Sequence, residues 1–306
     1  MKPNLPTILC LLAAPLLPLP LQAQVSAKAK ADAPNAAQPR HRVVKTSDII
    51  GMNVQNKQDE ILGQVKDLVV DVESGLVIQV IVSTGASHAA VPPGVLRPDE
   101  TGRWLLLDAS PEKLKSAPHF EMADWVKFSD AEHLTAVYRH FGLVPAFTYI
   151  QTGATLLTDK NNEGQFLIPE SRMVQGLTVR KLLGLRVMNQ QDHLVGKVED
   201  LLVDLPAGRV AVLVISSGVY VGLNDELSAI PPPVLRFDPD NGFLIMSASK
   251  KSLSNAPHFK PALWPDFSEP TYVRRVYRAY QMEPYFTNQD NAGKPKPPGQ
   301  DDKPRR

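Results

Sequence analysis

The chain has 306 residues, of which 43% are hydrophobic and 21% are charged. This composition is typical of folded domains and excludes an intrinsically disordered chain. There are 33 Lys and Arg residues against 32 Asp and Glu residues, and the resulting net charge of +1 argues against a nucleic-acid partner.

Residues 1–27 have the features of a secretory signal peptide. Lys2 supplies the positive charge, an apolar run interrupted by prolines follows it, and small residues stand at Ala23 and Ala27. The prolines argue against a membrane-spanning helix. We therefore expect a periplasmic or secreted protein that is cleaved near Ala23 or Ala27. Its mature chain would have no transmembrane segment and no thiol, because Cys10 lies within the signal.

Two further terminal segments lack the pattern of a folded domain. Residues 28–42 show no apolar periodicity and are predicted to be a flexible lead. Residues 287–306 are rich in proline and charge, and this composition predicts a disordered tail.

The rest of the chain consists of two related copies. The segment 47–85 aligns with 181–218, and later segments such as SAPHF and NAPHF recur in the same order. Such ordered similarity indicates a tandem duplication, and a repeat of this length is a domain. We predict domains at 43–147 and 176–286, each able to fold alone. The linker 148–175 contains apolar stretches that would form an extra strand.

Each copy begins with a hairpin of apolar strands. In the first copy the strands are predicted at Gly63–Val72 and Leu76–Thr84, and Asp71 and Gly75 bound the turn. Both faces of the second strand are apolar. This pattern predicts cover on two sides, as in a small closed barrel with helices or a partner outside.

One more strand and two helices follow the hairpin. The strand is predicted at Trp104–Asp108, and a short helix begins after Ser110. A longer amphipathic helix follows Ser129 and ends near Gly142. The predicted fold class is mainly β with short helices: two small β-barrels in tandem, each followed by an amphipathic helix.

The structural glycines, turn acids and core aliphatic residues of each copy resemble the PRC-barrel family. The resemblance covers about 46–125 and 180–264, including the hairpin, the VPPGVLR and IPPPVLR segments and the A-P-H-F ends. Family members include the cytoplasmic domain of the photosynthetic reaction centre H subunit and the C-terminal domain of the ribosome maturation factor. The resemblance implies two PRC-type barrels that bind larger assemblies, and it implies no shared catalytic residue.

The chain contains no recognisable catalytic motif, and we predict a non-enzymatic protein without a cofactor. Asp67 and Asp71 lie about 13 Å apart along a strand, too far for an acid/base pair. The same spacing recurs at Asp200 and Asp204. We expect Asp71 and Asp204 to cap turns, and Asp67 and Asp200 to hold adjoining backbone or a lysine.

Two histidines and several aromatic residues also recur. His119 and His258 recur and could suggest a metal site, but no nearby His or Cys recurs with them. We therefore predict no metal site, and we expect each to be a turn histidine beside a buried Phe. Aromatic residues at fixed positions in both copies predict core packing rather than a binding platform. These residues are Trp125, Trp264, Tyr138 and Tyr277.

The copies differ by an insertion after Gly218, and this loop holds the candidate binding residues Tyr220, Leu223, Asn224 and Asp225. Two interpretations are open. The loop is either an exposed contact surface for a partner, or a plug in which Tyr220 and Leu223 fold back over the barrel mouth.

The leading functional hypothesis is an exported protein-interaction or assembly module with a protein partner in the cell envelope. The alternative is a small-ligand or ion-binding envelope protein with a site between the two barrels. An enzyme of unknown type is a third class.

Overall fold

The computed structural model describes residues 43–85, 87–120, 131–145, 147–150, 166–169 and 177–286. The predicted signal peptide, lead and tail, most of the linker, Trp125 and Ser129 lie outside these residues. The strands are β1 (Val43–Lys45), β2 (Asn53–Gln55), β3 (Ile61–Asp71), β4 (Leu76–Ser83), β5 (His88–Val91), β6 (Leu96–Pro98), β7 (Trp104–Leu107), β8 (His119–Phe120), β9 (Phe147–Ile150), β10 (Phe166–Pro169), β11 (Leu177–Thr178), β12 (Arg186–Asn189), β13 (Leu194–Asp204), β14 (Arg209–Ile215), β15 (Leu227–Ile230), β16 (Leu235–Asp238), β17 (Phe243–Met246) and β18 (His258–Phe259).

The helices are short, as the sequence predicts. They are α1 (Thr46–Ile49), α2 (Pro111–Lys115), α3 (Ala131–His140), α4 (Val179–Leu182), α5 (Gly218–Val221), α6 (Lys250–Asn255) and α7 (Pro270–Ala279), with 3-10 turns at Pro93–Val95 and Pro232–Val234. The Ser110 side chain accepts a hydrogen bond from the Lys113 amide at 3.2 Å, so the predicted cap of α2 is confirmed.

The predicted hairpin is the centre of each copy. β3 pairs antiparallel with β4, and β13 pairs antiparallel with β14. The turn chemistry is also as expected, since the Asp71 carboxylate accepts a hydrogen bond from the Ser74 amide at 3.2 Å. Asp204 does the same for the Ala207 amide at 3.2 Å. Both carboxylates therefore cap turns.

The second hairpin strand of the first copy is covered on two sides, as its apolar pattern predicts. Ile78 and Ile81 pack against Leu134 and Val137 of α3. Val77, Val80 and Val82 of β4 belong instead to the main core of the molecule. The helix α3 therefore covers the outer face of the sheet in the first copy.

The sheet does not close, and in this respect the prediction of small closed barrels is corrected. In the described part of the chain, sixteen strands form one sheet. Ten of them follow the order β16–β17–β12–β13–β14–β4–β3–β2–β7–β6, and the other six, β1, β5, β8, β11, β15 and β18, pair with strands beside this path. Pro92 and Pro93 lack amide donors and lead into the 3-10 turn that separates β5 from β6. The mainly β fold class with short helices is confirmed.

The two copies meet edge to edge at equivalent positions. Leu76 of β4 lies opposite Arg209 of β14. The Val77 amide donates to the Gly208 carbonyl at 2.9 Å, and the Val210 amide donates to the Gly75 carbonyl at 2.9 Å. Because each bond is the counterpart of the other, the copies are related by a pseudo-twofold axis between these strands, as in an isologous dimer.

The copies also exchange their first strands. β1 of the first copy pairs with β13 of the second, and β11 of the second copy pairs with β3 of the first. One cluster of buried side chains extends through both copies, from Ile49 to Phe286. The domain boundaries stay a prediction, but the described parts of the two copies share a sheet and a core. In the linker, β9 and β10 pair in parallel as a separate small sheet.

Candidate interaction surface

The inserted loop of the second copy has a fixed backbone. The Gly218 amide donates to the Glu226 carbonyl at 2.9 Å, and the Leu223 amide donates to the Gly218 carbonyl at 2.7 Å. A Cβ atom on Gly218 would lie 1.8 Å from the Asn224 carbonyl oxygen, so only glycine fits there. The loop is therefore a closed turn that presents its side chains in defined directions.

Tyr220 points inward, in agreement with the plug interpretation for this residue. Its side chain is half-buried and packs against the main core. The hydroxyl accepts a hydrogen bond from Asn189 Nδ2 at 3.1 Å, and the Lys250 ammonium lies 4.8 Å from the ring centre. This contact is a cation–π arrangement on one face of the phenol ring.

The remaining predicted site residues point outward. Asn224 and Asp225 are exposed, and Leu223 is 41% exposed. Val219, which the sequence analysis did not select, is 86% exposed. Exposed apolar side chains on a rigid loop are the features of a contact surface rather than of a plug. The structure thus separates the four predicted residues into one that packs inward and three that face solvent.

A cleft of about 350 Å³ lies beside the loop and includes Asn224 and Asp225. Its other acidic groups are Glu199 and Glu226, and Trp264 forms an apolar wall. Carboxylates around an aromatic wall favour a basic or amphipathic group as the occupant. We call the exposed side of the loop and this cleft together the loop surface.

The first copy contributes a residue to the loop surface of the second. Lys45, in the exchanged strand β1, places its ammonium 4.0 Å from the centre of the Trp264 ring. Trp264 is half-buried and packs against Phe259 with ring centres 5.2 Å apart. The prediction that Trp264 is a core residue is therefore confirmed for one side of the ring only. The ring also lines the cleft and lies beneath the Lys45 ammonium.

A buried hydrogen-bonded chain lies under the loop. Ser217 and Ser228 are joined through their hydroxyl groups, and the Ser228 hydroxyl is 2.8 Å from His258 Nδ1. Both serines are fully buried, so neither is placed to attack a substrate. His258 stands beside the buried Phe259, as predicted, but it lies in the short strand β18 and not in a turn. Within the described residues, no group of three or more His, Cys, Asp or Glu could hold a metal ion.

Asp200 is a buried carboxylate that holds the other copy. Its two oxygens accept hydrogen bonds from the hydroxyls of Thr46 and Ser47, each at 2.6 Å. It also accepts a hydrogen bond from the adjoining Leu201 amide at 2.8 Å. The expected contact with adjoining backbone is confirmed, but the main partners come from the first copy and were not predicted.

Asp67 is the equivalent carboxylate of the first copy, and it contacts the second copy. Oδ1 accepts the Leu68 amide at 2.9 Å and the Arg180 amide of the second copy at 3.2 Å. Burial raises the pKa of the Asp67 carboxyl, although the hydrogen bonds from Leu68, Arg180 and Thr178 act to lower it.

The recurring tyrosines are core residues, as predicted. Tyr138 donates its hydroxyl hydrogen to the Ile78 carbonyl at 2.8 Å, and Tyr277 donates to the equivalent Ala211 carbonyl at 2.9 Å. Burial raises the pKa of both phenols, so both remain neutral donors. Each hydroxyl anchors an outer helix to the hairpin strand beneath it.

A second cleft lies where the copies meet. It has a volume of about 440 Å³, with Glu73 and Ser74 from the first copy and Arg236 and Ser247 from the second among its lining residues. This position corresponds to the alternative hypothesis of a site between the two barrels. Apolar atoms of Val234 and Ile245 form part of its wall.

The sequence held partial signals for the residues that it did not select. Trp264 recurs in both copies, and Glu199 adjoins the recurring Asp200. Their convergence with Lys45 depends on the strand exchange, for which local patterning contains no signal.

None of the helices in the described residues has the length and apolar character that crossing a membrane would require.

Comparison with known families identifies both copies. The PRC-barrel domain matches residues 41–114 and again residues 175–253, and the two segments together make up half of the chain. The chain belongs to the PRC-barrel domain family, and the two matches confirm the tandem duplication. Comparison with curated proteins found no match. PRC-barrel domains point to a protein-interaction or assembly module.

Proposed function

We propose that this protein is an exported, non-enzymatic assembly module of the cell envelope, and that it binds a partner protein through the loop surface. The observation that carries the proposal is the pair of exposed apolar side chains, Val219 and Leu223, on a fixed loop beside an aromatic-walled cleft. Apolar anchors on a preorganised backbone favour binding because little side-chain and loop entropy is lost.

The acidic residues of the cleft indicate what kind of partner segment would bind. Glu199, Asp225 and Glu226 surround the cleft, so the partner segment is expected to carry Lys or Arg next to an apolar group. Such a contact should weaken as the salt concentration rises, since the carboxylates lie at the surface.

The test compares two aspartate variants at similarly exposed valines. Val219→Asp should lower the amount of partner captured from the envelope fraction by about tenfold, because it places a charge in an apolar contact. The matched control is Val144→Asp in the first copy, where the valine is 80% exposed. Circular dichroism should show both variants folded. Equal capture by the two variants would contradict the proposal.

Export is tested separately. The protein isolated from the envelope fraction should begin near Gln24 or Lys28, as the signal pattern of residues 1–27 predicts. N-terminal sequencing that finds Met1 on the envelope-located protein would refute export, without bearing on the loop surface.

The cleft between the copies supports a second candidate function, the binding of a small ligand. Arg236 and Glu73 would supply charged contacts, and Val234 and Ile245 an apolar wall. Native mass spectrometry of the intact protein should then show a bound small molecule that Arg236→Ala loses. A spectrum without any adduct would leave the assembly module as the better proposal.

A further inference from the structure

The first copy has an open cleft where the second copy is filled by its own tyrosine. In the second copy, Tyr220 lies between Asn189 and Lys250. The equivalent residues of the first copy are Asn56 and Pro111, and its shorter loop has no counterpart of Tyr220. A cleft of about 490 Å³ occupies this region, and its lining includes Glu60, Ile61, Leu62, Pro111, Leu114 and Lys115.

Burial at equivalent positions shows what the insertion covers. Val195 and Ser217 of the second copy are buried, whereas their equivalents Leu62 and Thr84 are half-buried. Gly218 is buried, whereas its equivalent Gly85 is exposed. The first copy therefore exposes apolar and polar surface that the same fold covers when the inserted turn is present.

We propose that this first-copy cleft binds a tyrosine presented on a short turn of a partner protein, in the way that the second copy holds Tyr220. The inference deepens the proposed assembly function, on which it rests, but it concerns a different surface from the loop surface. The internal duplicate identifies the occupant, because the same scaffold already holds an aromatic side chain at the equivalent position.

The chemistry of the cleft fits a phenol side chain. Ile61 is 62% exposed and, with Leu62 and Pro111, provides apolar surface for the ring. Glu60 offers a carboxylate, which already accepts a hydrogen bond from Asn56 Nδ2 at 2.6 Å. A tyrosine hydroxyl would therefore donate to Glu60, whereas Tyr220 accepts from Asn189. Lys115 also lines the cleft and supplies the cation that Lys250 provides in the second copy.

The first test uses a peptide with the sequence of residues 216–227, SSGVYVGLNDEL, titrated into the full chain. Saturable binding is expected, and the peptide with alanine in place of its tyrosine should bind at least about tenfold more weakly, since most of the contact is with the ring. Ile61→Glu should weaken binding by a similar factor. The matched control is Leu194→Glu, at the equivalent exposed position of the second copy, which should leave binding within about twofold.

The second test is intramolecular and does not depend on peptide affinity. Replacing residues 86–87 by residues 219–226 builds the second copy's turn into the first. The grafted chain should no longer bind the peptide and should melt at a higher temperature than the same graft with alanine in place of its tyrosine.

The outcomes separate the inference from the proposed function. Tyrosine-dependent binding that Ile61→Glu weakens and the graft abolishes supports the inference. Absent binding together with equal melting temperatures for the two grafts overturns it, and so does binding that needs no tyrosine or ignores Ile61→Glu. The Val219→Asp capture experiment tests the loop surface alone, so a failure of the loop surface and a failure of the first-copy cleft give different results.

Discussion

At the scale of single residues, two buried aspartates join the copies. Asp200 accepts hydrogen bonds from Thr46 and Ser47 of the first copy, and Asp67 accepts the Arg180 amide of the second. Buried carboxylates are costly unless hydrogen bonds compensate for lost hydration. Here part of the compensation comes from the other copy, so separation of the copies would remove hydrogen-bond donors from both carboxylates.

The raised pKa of Asp67 predicts a pH-dependent effect of Asp67→Asn. The folded protein holds the proton more tightly than the unfolded chain, so the carboxyl's contribution to stability falls as pH rises through its unfolded value of 3.8 and then its raised folded value. Asparagine does not ionise and keeps an acceptor for both amides. We therefore expect the variant to gain stability relative to the natural chain as the pH rises above the unfolded value of 3.8 and up to the raised folded pKa.

Urea unfolding at several pH values measures this difference. Asp48→Asn, which removes an exposed carboxylate from α1, controls for the change in net charge. A stability difference between Asp67→Asn and the natural chain that is constant with pH, or that moves in the opposite direction, would refute the assigned cause.

At the scale of elements, a close approach inside each hairpin requires glycine. A Cβ on Gly196 of β13 would lie 2.2 Å from the Ser216 carbonyl oxygen, and one on the equivalent Gly63 would lie 2.4 Å from that of Ser83. The contact atom is backbone, so a side chain cannot turn away to make room. In the second copy, β13 approaches the backbone of Ser216, just after the end of β14. The insertion follows at Gly218.

Gly196→Ala is therefore expected to destabilise the protein by about 1–3 kcal/mol, the usual cost of overpacking. Gly63→Ala should have a similar effect in the first copy. Thermal unfolding measures both, with Lys197→Ala at the next, exposed position as the control. A melting temperature for Gly196→Ala equal to that of the control would show that the strands can separate without cost.

The loop between the hairpin and the next strand is the element that differentiates the copies. The long form folds Tyr220 onto the main core and exposes Val219 and Leu223, and the short form leaves Ile61 and Leu62 uncovered. One duplicated scaffold thus presents two different surfaces, because loops change more readily than the strands that support them.

At the scale of the whole molecule, the two copies form a pseudo-symmetric pair with exchanged strands and a shared core. This arrangement gives an expectation for separated copies that differs from independent folding. The fragment 176–286 would lose the pairing of β13 with β1 and of β11 with β3, and would expose the edge of β14. Exposed edges and apolar surface favour association with an equivalent partner.

We expect each fragment, 43–147 and 176–286, to melt far below the intact chain or to form a homodimer. Mixing the two fragments should restore a complex with a higher melting temperature, since partner binding stabilises the folded state by mass action. Analytical ultracentrifugation and thermal melts of the single and mixed fragments test this. Two monomeric fragments that each melt cooperatively near the temperature of the intact chain would restore the original expectation of independent folding.

Much of the local structure followed from the sequence alone. The β-hairpin over β3 and β4, the turn capped by Asp71, the start of α2 at Ser110 and the duplication itself were all readable. These features depend on residues that are near one another in the chain, where apolar alternation, turn chemistry and capping act directly.

Contacts between distant residues were decided only by the tertiary structure. An apolar strand such as β4 has the same pattern whether its edge is covered within its own copy or by β14, so the sequence could not choose between a closed barrel and a sheet that continues into the second copy. The same holds for the partners of Asp67 and Asp200. Tyr220 and Leu223 both lie in the inserted segment. Only the packing of the turn against Asn189 and Lys250 directs Tyr220 inward and leaves Leu223 exposed.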